Sequence, residues 1–234
     1  MKIAILQCDS VLPQFLKSFP DYPEMIKVLF SNIDPAIQFQ TFNVQENQYP
    51  ADLRQFDAFV TTGSKSSVYD GDTWISALEQ FLVSINDQNK KLIGICFGHQ
   101  LVAQVFGGKT EKSQKGWGVG IHSSTIKIEK SWMQPELNTL NLVVSHQDQV
   151  SQLPPGAELI AGHDFCPIFM FQLGENILTV QGHPEFNKFY AETMMNYRKE
   201  KIGENTLKTG LNSLTLPTHE QQVARWFVNF IQQR

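Results

Sequence analysis

A chain of 234 residues with 41% hydrophobic and 18% charged residues has ample apolar material for a core, which excludes a disordered chain. Its formal net charge of -4, with Lys and Arg scattered rather than banded, excludes an electrostatic nucleic-acid binder. No run reaches the about 18 consecutive apolar residues that a membrane span needs. The start MKIAILQCDS lacks the long apolar region and cleavage site of a secretory leader, so a cytoplasmic protein without a membrane partner is expected. Cys8, Cys96 and Cys166 stand far apart with no CxxC pair, which is neither a disulfide framework nor a zinc pattern. Reduced thiols are expected, with no metal and no cofactor.

In chain order, residues 2–6 (KIAIL), 37–42 (IQFQTF), 57–62 (DAFVTT) and 91–96 (KLIGIC) are short, nearly continuous apolar runs. Strands buried on both faces look like this. Between them, residues 23–33, 73–85 and 101–106 have helical spacing, with Trp74, Leu78, Phe81 and Leu82 on one side of the second. Alternation of strand and helix predicts a parallel α/β sheet with right-handed crossovers. After Gly107-Gly108 the pattern changes to strand-like runs at 124–130, 139–146, 157–162, 167–173 and 175–183, separated by Pro154-Pro155-Gly156 and Gly174-Glu175-Asn176. These predict an antiparallel extension of the sheet. Helices are expected over 187–202 and 218–233, with a long loop at 203–217. No repeat or linker interrupts the chain, so one domain spanning 1–234 is expected.

Gly94-Ile95-Cys96-Phe97-Gly98 follows a buried strand and leads into a helix, the arrangement of a nucleophile elbow. Small residues two positions either side let the chain fold back, and a helix N-terminus beneath the sulfur favours thiolate. The N–H of Phe97 is then free for an oxyanion. A lone cysteine is more often a small core residue, so the reading depends on finding a base. His183 and Glu185, in Gly182-His183-Pro184-Glu185, end an apolar strand. Pro184 favours extended backbone before it, and positions i and i+2 of extended chain face one side. The pair can therefore act on one thiol, the imidazole as base and proton donor and the carboxylate as its orienter. His99, His122, His163 and His219 sit in poorer contexts.

Together these segments resemble class I (triad-type) glutamine amidotransferase domains. Gly94-x-Cys96-x-Gly98-x-Gln100 and His183-Pro184-Glu185 resemble that family's two signatures, and residues 62–69 (TGSKSSVY) resemble its oxyanion loop. Residues 145–150 (SHQDQV) resemble the substrate loop of the GMP-synthetase-like branch. The resemblance covers roughly residues 40–190. It implies a flavodoxin-like open, mostly parallel sheet with helices on both faces and an antiparallel extension, carrying a strand–elbow–helix at Cys96. It also implies a γ-glutamyl thioester on Cys96, with the oxyanion held by the N–H groups of Ser64 and Phe97 in a loop shaped by Gly63. Gln100 and Ser145, His146, Gln147 and Asp148 would hold the α-amino and α-carboxylate ends, with Asp148 facing the ammonium and His146 structural. The plain alternatives are that Asp148 caps a loop, Gln100 lies on a helix surface and Trp117 is a buried aromatic.

The sequence departs from the family where a Gly and a Pro are usual. Ser64 and Lys65 stand there, which is tolerable only if Ser64 does not need φ > 0. No P-loop or other nucleotide signature is present, so no attached synthetase is expected. The segments GSK, GICFGHQ and QGHPEF are closest to the stand-alone branch that includes plant γ-glutamyl peptidases. Three readings follow: a stand-alone hydrolase of glutamine or small γ-glutamyl compounds, which is favoured; a glutaminase subunit for a separate ATP-using synthetase partner; and a non-enzymatic regulatory protein that retains the fold. Intact Cys, His and Glu weigh against the third. Residues 9–25 and 203–217 are the segments expected either to cover a pocket or to face a partner.

Overall fold

The computed structural model describes residues 1–233. In chain order the elements are β1 (Lys2–Gln7), α1 (Tyr22–Ser31), β2 (Gln38–Asn43), β3 (Ala58–Thr61), α2 (Thr73–Asp87), β4 (Lys91–Ile95) and α3 (Phe97–Val105). Then come β5 (Lys109–Lys112), β6 (Gly118–Ile126), β7 (Thr139–His146), β8 (Asp148–Gln152), β9 (Ala157–Gly162), β10 (Met170–Leu173) and β11 (Ile177–Val180). Four helices close the chain: α4 (Lys188–Tyr197), α5 (Lys199–Ile202), α6 (Glu204–Ser213) and α7 (Glu220–Gln232).

Nine strands form one sheet in the order β2-β1-β3-β4-β11-β10-β9-β6-β7. From β2 to β11 every pairing is parallel, and from β11 to β7 every pairing is antiparallel. The first four positions have the strand order of doubly wound flavodoxin-like sheets. Alternate residues of β1 show why helices lie on both faces. Ile3 and Ile5 pack in a cluster with Ile26, Phe30, Trp226 and Phe227 of α1 and α7, while Ala4 and Leu6 pack with Leu78, Leu82, Leu101 and Val102 of α2 and α3.

The structure corrects several expectations. β2 is the sheet's edge strand rather than one buried on both faces: Gln38 and Gln40 are exposed and only Phe42 is buried within it. The strand expected at 124–130 runs from Gly118 to Ile126, and β5 and β8 form a separate two-stranded sheet that polar sequences (KTEK, DQVSQ) concealed. The helix expected over 187–202 breaks at Arg198. The loop expected at 203–217 contains α6, whose Gly210 rests directly on β6: a Cβ at Gly210 would lie 2.8 Å from Val119 Cγ2. A mid-helix glycine and a polar composition read as loop because the close approach that requires them is a tertiary feature. Residues 203–217 do not line the cavity described below, whereas Tyr22, from the 9–25 segment, does.

One further correction bears on the site. The run at 175–183 reads from sequence as part of the antiparallel extension, and β11 does pair antiparallel with β10, but its other edge pairs in parallel with β4, with Val180 opposite Ile95. Both strands therefore end on the same edge of the sheet, and the residues after each, Cys96 and 181–183, emerge side by side.

Candidate active site

Cys96 stands between β4 and α3 with φ 50° and ψ -97°, a left-handed backbone that side-chain-bearing residues seldom adopt. Strain of this kind costs about 1–3 kcal/mol and persists only where the surroundings enforce it. They do so here. Cys96 N donates to Val180 O at 2.9 Å, and Gln100 N donates to Cys96 O at 3.1 Å. The flanking glycines are needed for close approach rather than for unusual φ. A Cβ at Gly94 would lie 2.9 Å from the Gly98 backbone, and one at Gly98 would sit 1.7 Å from Thr61 Oγ1. Cys8 and Cys166 lie in the core, where burial pushes both thiols up, Cys166 to about 12.

His183 reaches Cys96 from the end of β11. Its backbone N–H donates to Val143 O at 2.8 Å, and its Nδ1 lies 2.8 Å from Glu185 Oε1. The ring stacks on Phe186, with centroids 4.0 Å apart and planes 4° from parallel. Burial opposes a charged ring here, but the charges of Cys96 and Glu185 outweigh it and push His183 up to about 10. His99 and His146 are the contrast. His99 is buried between Thr179 Oγ1 at 2.8 Å and Ile168 O at 3.1 Å, and burial pushes it down to about 3. His146 is likewise pushed down to about 3 by burial, with Nδ1 3.0 Å from Asp148 O. Burial opposes charge on both rings.

Gly63 closes the third side. A Cβ there would lie 2.8 Å from His183 Cε1 and 3.6 Å from Cys96 Cβ, so only glycine fits without displacement. Thr62, fully buried, fixes the turn by accepting from Cys8 N at 2.8 Å and donating to Gly63 O at 3.0 Å. Ser64 does not have positive φ, so its substitution for glycine is free of strain. The N–H groups of Ser64 and Phe97 have no protein partner among the described residues. Lys65 is tied to buried Asp9 at 2.9 Å.

A hydrogen-bonded chain joins the 145–148 loop to the sulfur. Gln100 Nε2 donates to Asp148 O at 2.8 Å and to Gln181 Oε1 at 3.1 Å, and Gln181 Nε2 points at Cys96 Sγ at 3.6 Å. Gln100 is therefore buried bracing, not helix surface. The Asp148 carboxylate accepts from Ser67 Oγ and from Tyr69 OH at 2.9 Å. Ser145 Oγ accepts from Arg198 Nη1 at 2.8 Å, and Gln147 O accepts from Ser113 N at 3.0 Å. Trp117, expected to be buried, is a half-exposed wall of the site.

These groups surround a cavity of about 240 Å³ lined by Cys96, His183, Gly63, Ser64, Gln100 and all of Ser145–Asp148. Glu185 stands behind His183 and does not line it. Sequence reasoning assigned no role to Gln181, although it is the first residue of QGHPEF. It also assigned no role to Phe186, the last residue of QGHPEF, and missed Tyr190 and Arg198, which line the cavity from or near α4 and carry no local motif. Among the described residues no group of three or more His, Cys, Asp or Glu could hold a metal, and no helix is long and apolar enough to cross a membrane.

A strained cysteine, a histidine backed by a carboxylate and a glycine loop on one edge of a parallel sheet coincide with a family match: residues 35–198 fit the model described as glutamine amidotransferase class-I. The chain belongs to the class-I glutamine amidotransferase family. Gamma-glutamyl peptidase 3 of Arabidopsis thaliana is 35% identical over 190 residues, covering 77% of this chain and 74% of that protein. The glutamine-hydrolyzing GMP synthase of Neisseria meningitidis serogroup B is 28% identical over 178 residues, covering 67% of this chain and 33% of that protein. The crystal structure of a glutamine amidotransferase from Thermotoga maritima superposes with a TM-score of 0.75, covering 98% of this chain and 96% of that one at 16% identity. The last likeness concerns the fold alone, and it includes both the parallel half and the antiparallel extension of this amidotransferase-type sheet.

Proposed function

We propose that this chain, acting as a single domain over 1–234, is a cysteine-dependent hydrolase of glutamine or small γ-glutamyl amides. Cys96 Sγ attacks the γ-carbonyl carbon, and the resulting oxyanion is taken by the N–H groups of Ser64 and Phe97. As the tetrahedral species collapses, the C–N bond breaks and His183 delivers its proton to the leaving amine or ammonia. A γ-glutamyl thioester remains on Cys96. Water then attacks that carbonyl with His183 taking a proton, the C–S bond breaks, and glutamate leaves while the thiolate is restored. Glu185 holds the ring through Nδ1 in both halves.

The observation that carries this reading is the strained φ of Cys96 beside a buried histidine whose ring is held by Glu185 at 2.8 Å. Strain is costly, and a merely structural cysteine does not need it. The 35% identity to a γ-glutamyl peptidase supports the hydrolytic form. The likeness to one third of a glutamine-hydrolyzing GMP synthase supports a second reading, a glutaminase subunit serving a separate synthetase. Incubation of the pure protein with glutamine, γ-glutamyl amides and γ-glutamyl peptides, following glutamate and ammonia, separates them. Turnover without a partner is expected. Activity that arises only on adding an ATP-dependent synthetase would select the subunit reading, and no turnover in either case would reject both.

A further inference from the structure

The cavity has a charged wall that the sulfur chemistry leaves unused. Arg198 sits between α4 and α5, half-buried, with its guanidinium carbon 5.6 Å from the centre of the Trp117 ring. Its Nη1 donates to the hydroxyl of Ser145, and the side chain lines the cavity. Among the described residues no carboxylate pairs with it. The cavity's two lysines are less suited to holding a ligand, since Lys65 is engaged by Asp9 and Lys201 is exposed. One neutral hydroxyl occupies one of five guanidinium donors. A guanidinium resting on an indole face and steadied by a hydroxyl is presented as a fork for a carboxylate.

The loop that steadies Arg198 also supplies an acid. Ser145 opens the stretch and Asp148 closes it, the Asp148 carboxylate being held in place by Ser67 and Tyr69. Two donors leave further lone-pair sites on that carboxylate for an ammonium. A cation and an anion are thus set against one cavity by four consecutive residues. The α-carbon of a γ-glutamyl group carries an ammonium and a carboxylate together, and it is the part of the substrate that stays constant when the leaving amine changes.

We propose that Arg198 binds the α-carboxylate of the glutamyl group, beside an α-ammonium taken by Asp148; this rests on the γ-glutamyl reading of the cavity. Arg198 then selects γ-glutamyl compounds against amides that lack the α-carboxylate, whatever their leaving group. A carboxylate on the leaving group is the other source of the same chemistry, and the test separates the two.

The first arm needs no turnover. L-glutamate and 4-aminobutyrate, which lacks only the α-carboxylate, are titrated by calorimetry into the wild-type protein and into Arg198→Ala and Arg198→Lys. Wild type is expected to prefer glutamate by about 10- to 100-fold, as loss of a charge-assisted fork implies. Arg198→Ala should lose that preference while binding 4-aminobutyrate as wild type does, and Arg198→Lys should keep part of it. Absence of glutamate binding by wild type, equal weakening of both ligands, or a preference that survives in Arg198→Ala overturns the proposal. The second arm compares γ-glutamyl-4-nitroanilide, whose leaving group is uncharged, with a γ-glutamyl peptide ending in a carboxylate. An equal rise in KM for both in Arg198→Ala, with kcat little changed, supports the assignment. A rise confined to the peptide moves Arg198 to the leaving group and overturns it. Should wild type bind glutamate through Arg198 yet hydrolyse neither compound, the hydrolase reading fails while this one stands.

Discussion

The parallel and antiparallel halves of the sheet meet at β11, and they contribute different kinds of residue to the cavity. From the parallel half come Cys96, Gly63 and His183, each at the end of a strand and each fixed by backbone bonds or by contacts too close for any other residue. From β7, β8 and the end of α4 come Ser145, Asp148 and Arg198, whose side chains are positioned by hydrogen bonds to other side chains. Rigid strand ends suit groups whose geometry must not vary during reaction, whereas side-chain networks can be retuned one residue at a time. The proposed division is chemistry in the first region and selection in the second.

The largest expected effect breaks the first region outright. Cys96→Ser should lower kcat by about 10⁴-fold or more while leaving thermal unfolding near wild type, since serine is close to cysteine in size. Turnover assays paired with calorimetric unfolding check both halves of that statement. Gly98→Ala attacks the geometry instead. Its new Cβ would sit 1.7 Å from Thr61 Oγ1, so denaturant unfolding should show a loss of about 1–3 kcal/mol, with activity falling as the elbow shifts. A fully stable Gly98→Ala would mean that the elbow is not held as described.

Gln181 links the two regions, because it reaches the sulfur on one side and Gln100 on the other. Gln181→Leu should slow alkylation of Cys96 by iodoacetamide about tenfold, the scale of one hydrogen bond to a charged group. An unchanged rate would reduce the chain to packing.

The last effect concerns pH. Buried neutral His99 and His146 have folded values near 3, below their usual 6.5, so their contribution is complete above pH 6.5 and is lost as pH falls from there. His183 has the opposite sign. Raised from 6.5 to about 10, it contributes fully below pH 6.5, and that contribution is lost as pH rises toward 10. Melting temperature measured from pH 5 to 10 should therefore fall at both ends. In Cys96→Ala the largest influence raising His183 is gone, so the alkaline decline should move to lower pH; a decline at the same pH would remove Cys96 as the cause.

The same two regions differ in how far they can be read from sequence. The parallel half is legible because it is written locally: apolar runs set β1, β3 and β4, and the elbow's glycines lie within two residues of the cysteine they serve. β7 and β9 match their apolar runs to the residue. The direction of β11 is not legible, because an apolar run does not say which neighbour it pairs with. Polar edge strands and the glycine of α6 mislead for a related reason, their burial being decided by distant partners. Residues 145–148 are singled out only through their resemblance to a family, and Arg198 lies 53 residues from the Ser145 it bonds, with nothing in its neighbours to mark it. Residues that act through tertiary contacts alone leave no spacing to read.

The central claim is covalent and can be observed directly. Wild-type protein mixed with a γ-glutamyl amide, quenched in acid within milliseconds and digested, should yield the peptide containing Cys96 carrying one glutamyl group in a hydroxylamine-labile thioester. Under the same conditions, a substrate that turns over with no glutamyl group on Cys96, or with that group on another residue, would contradict the account.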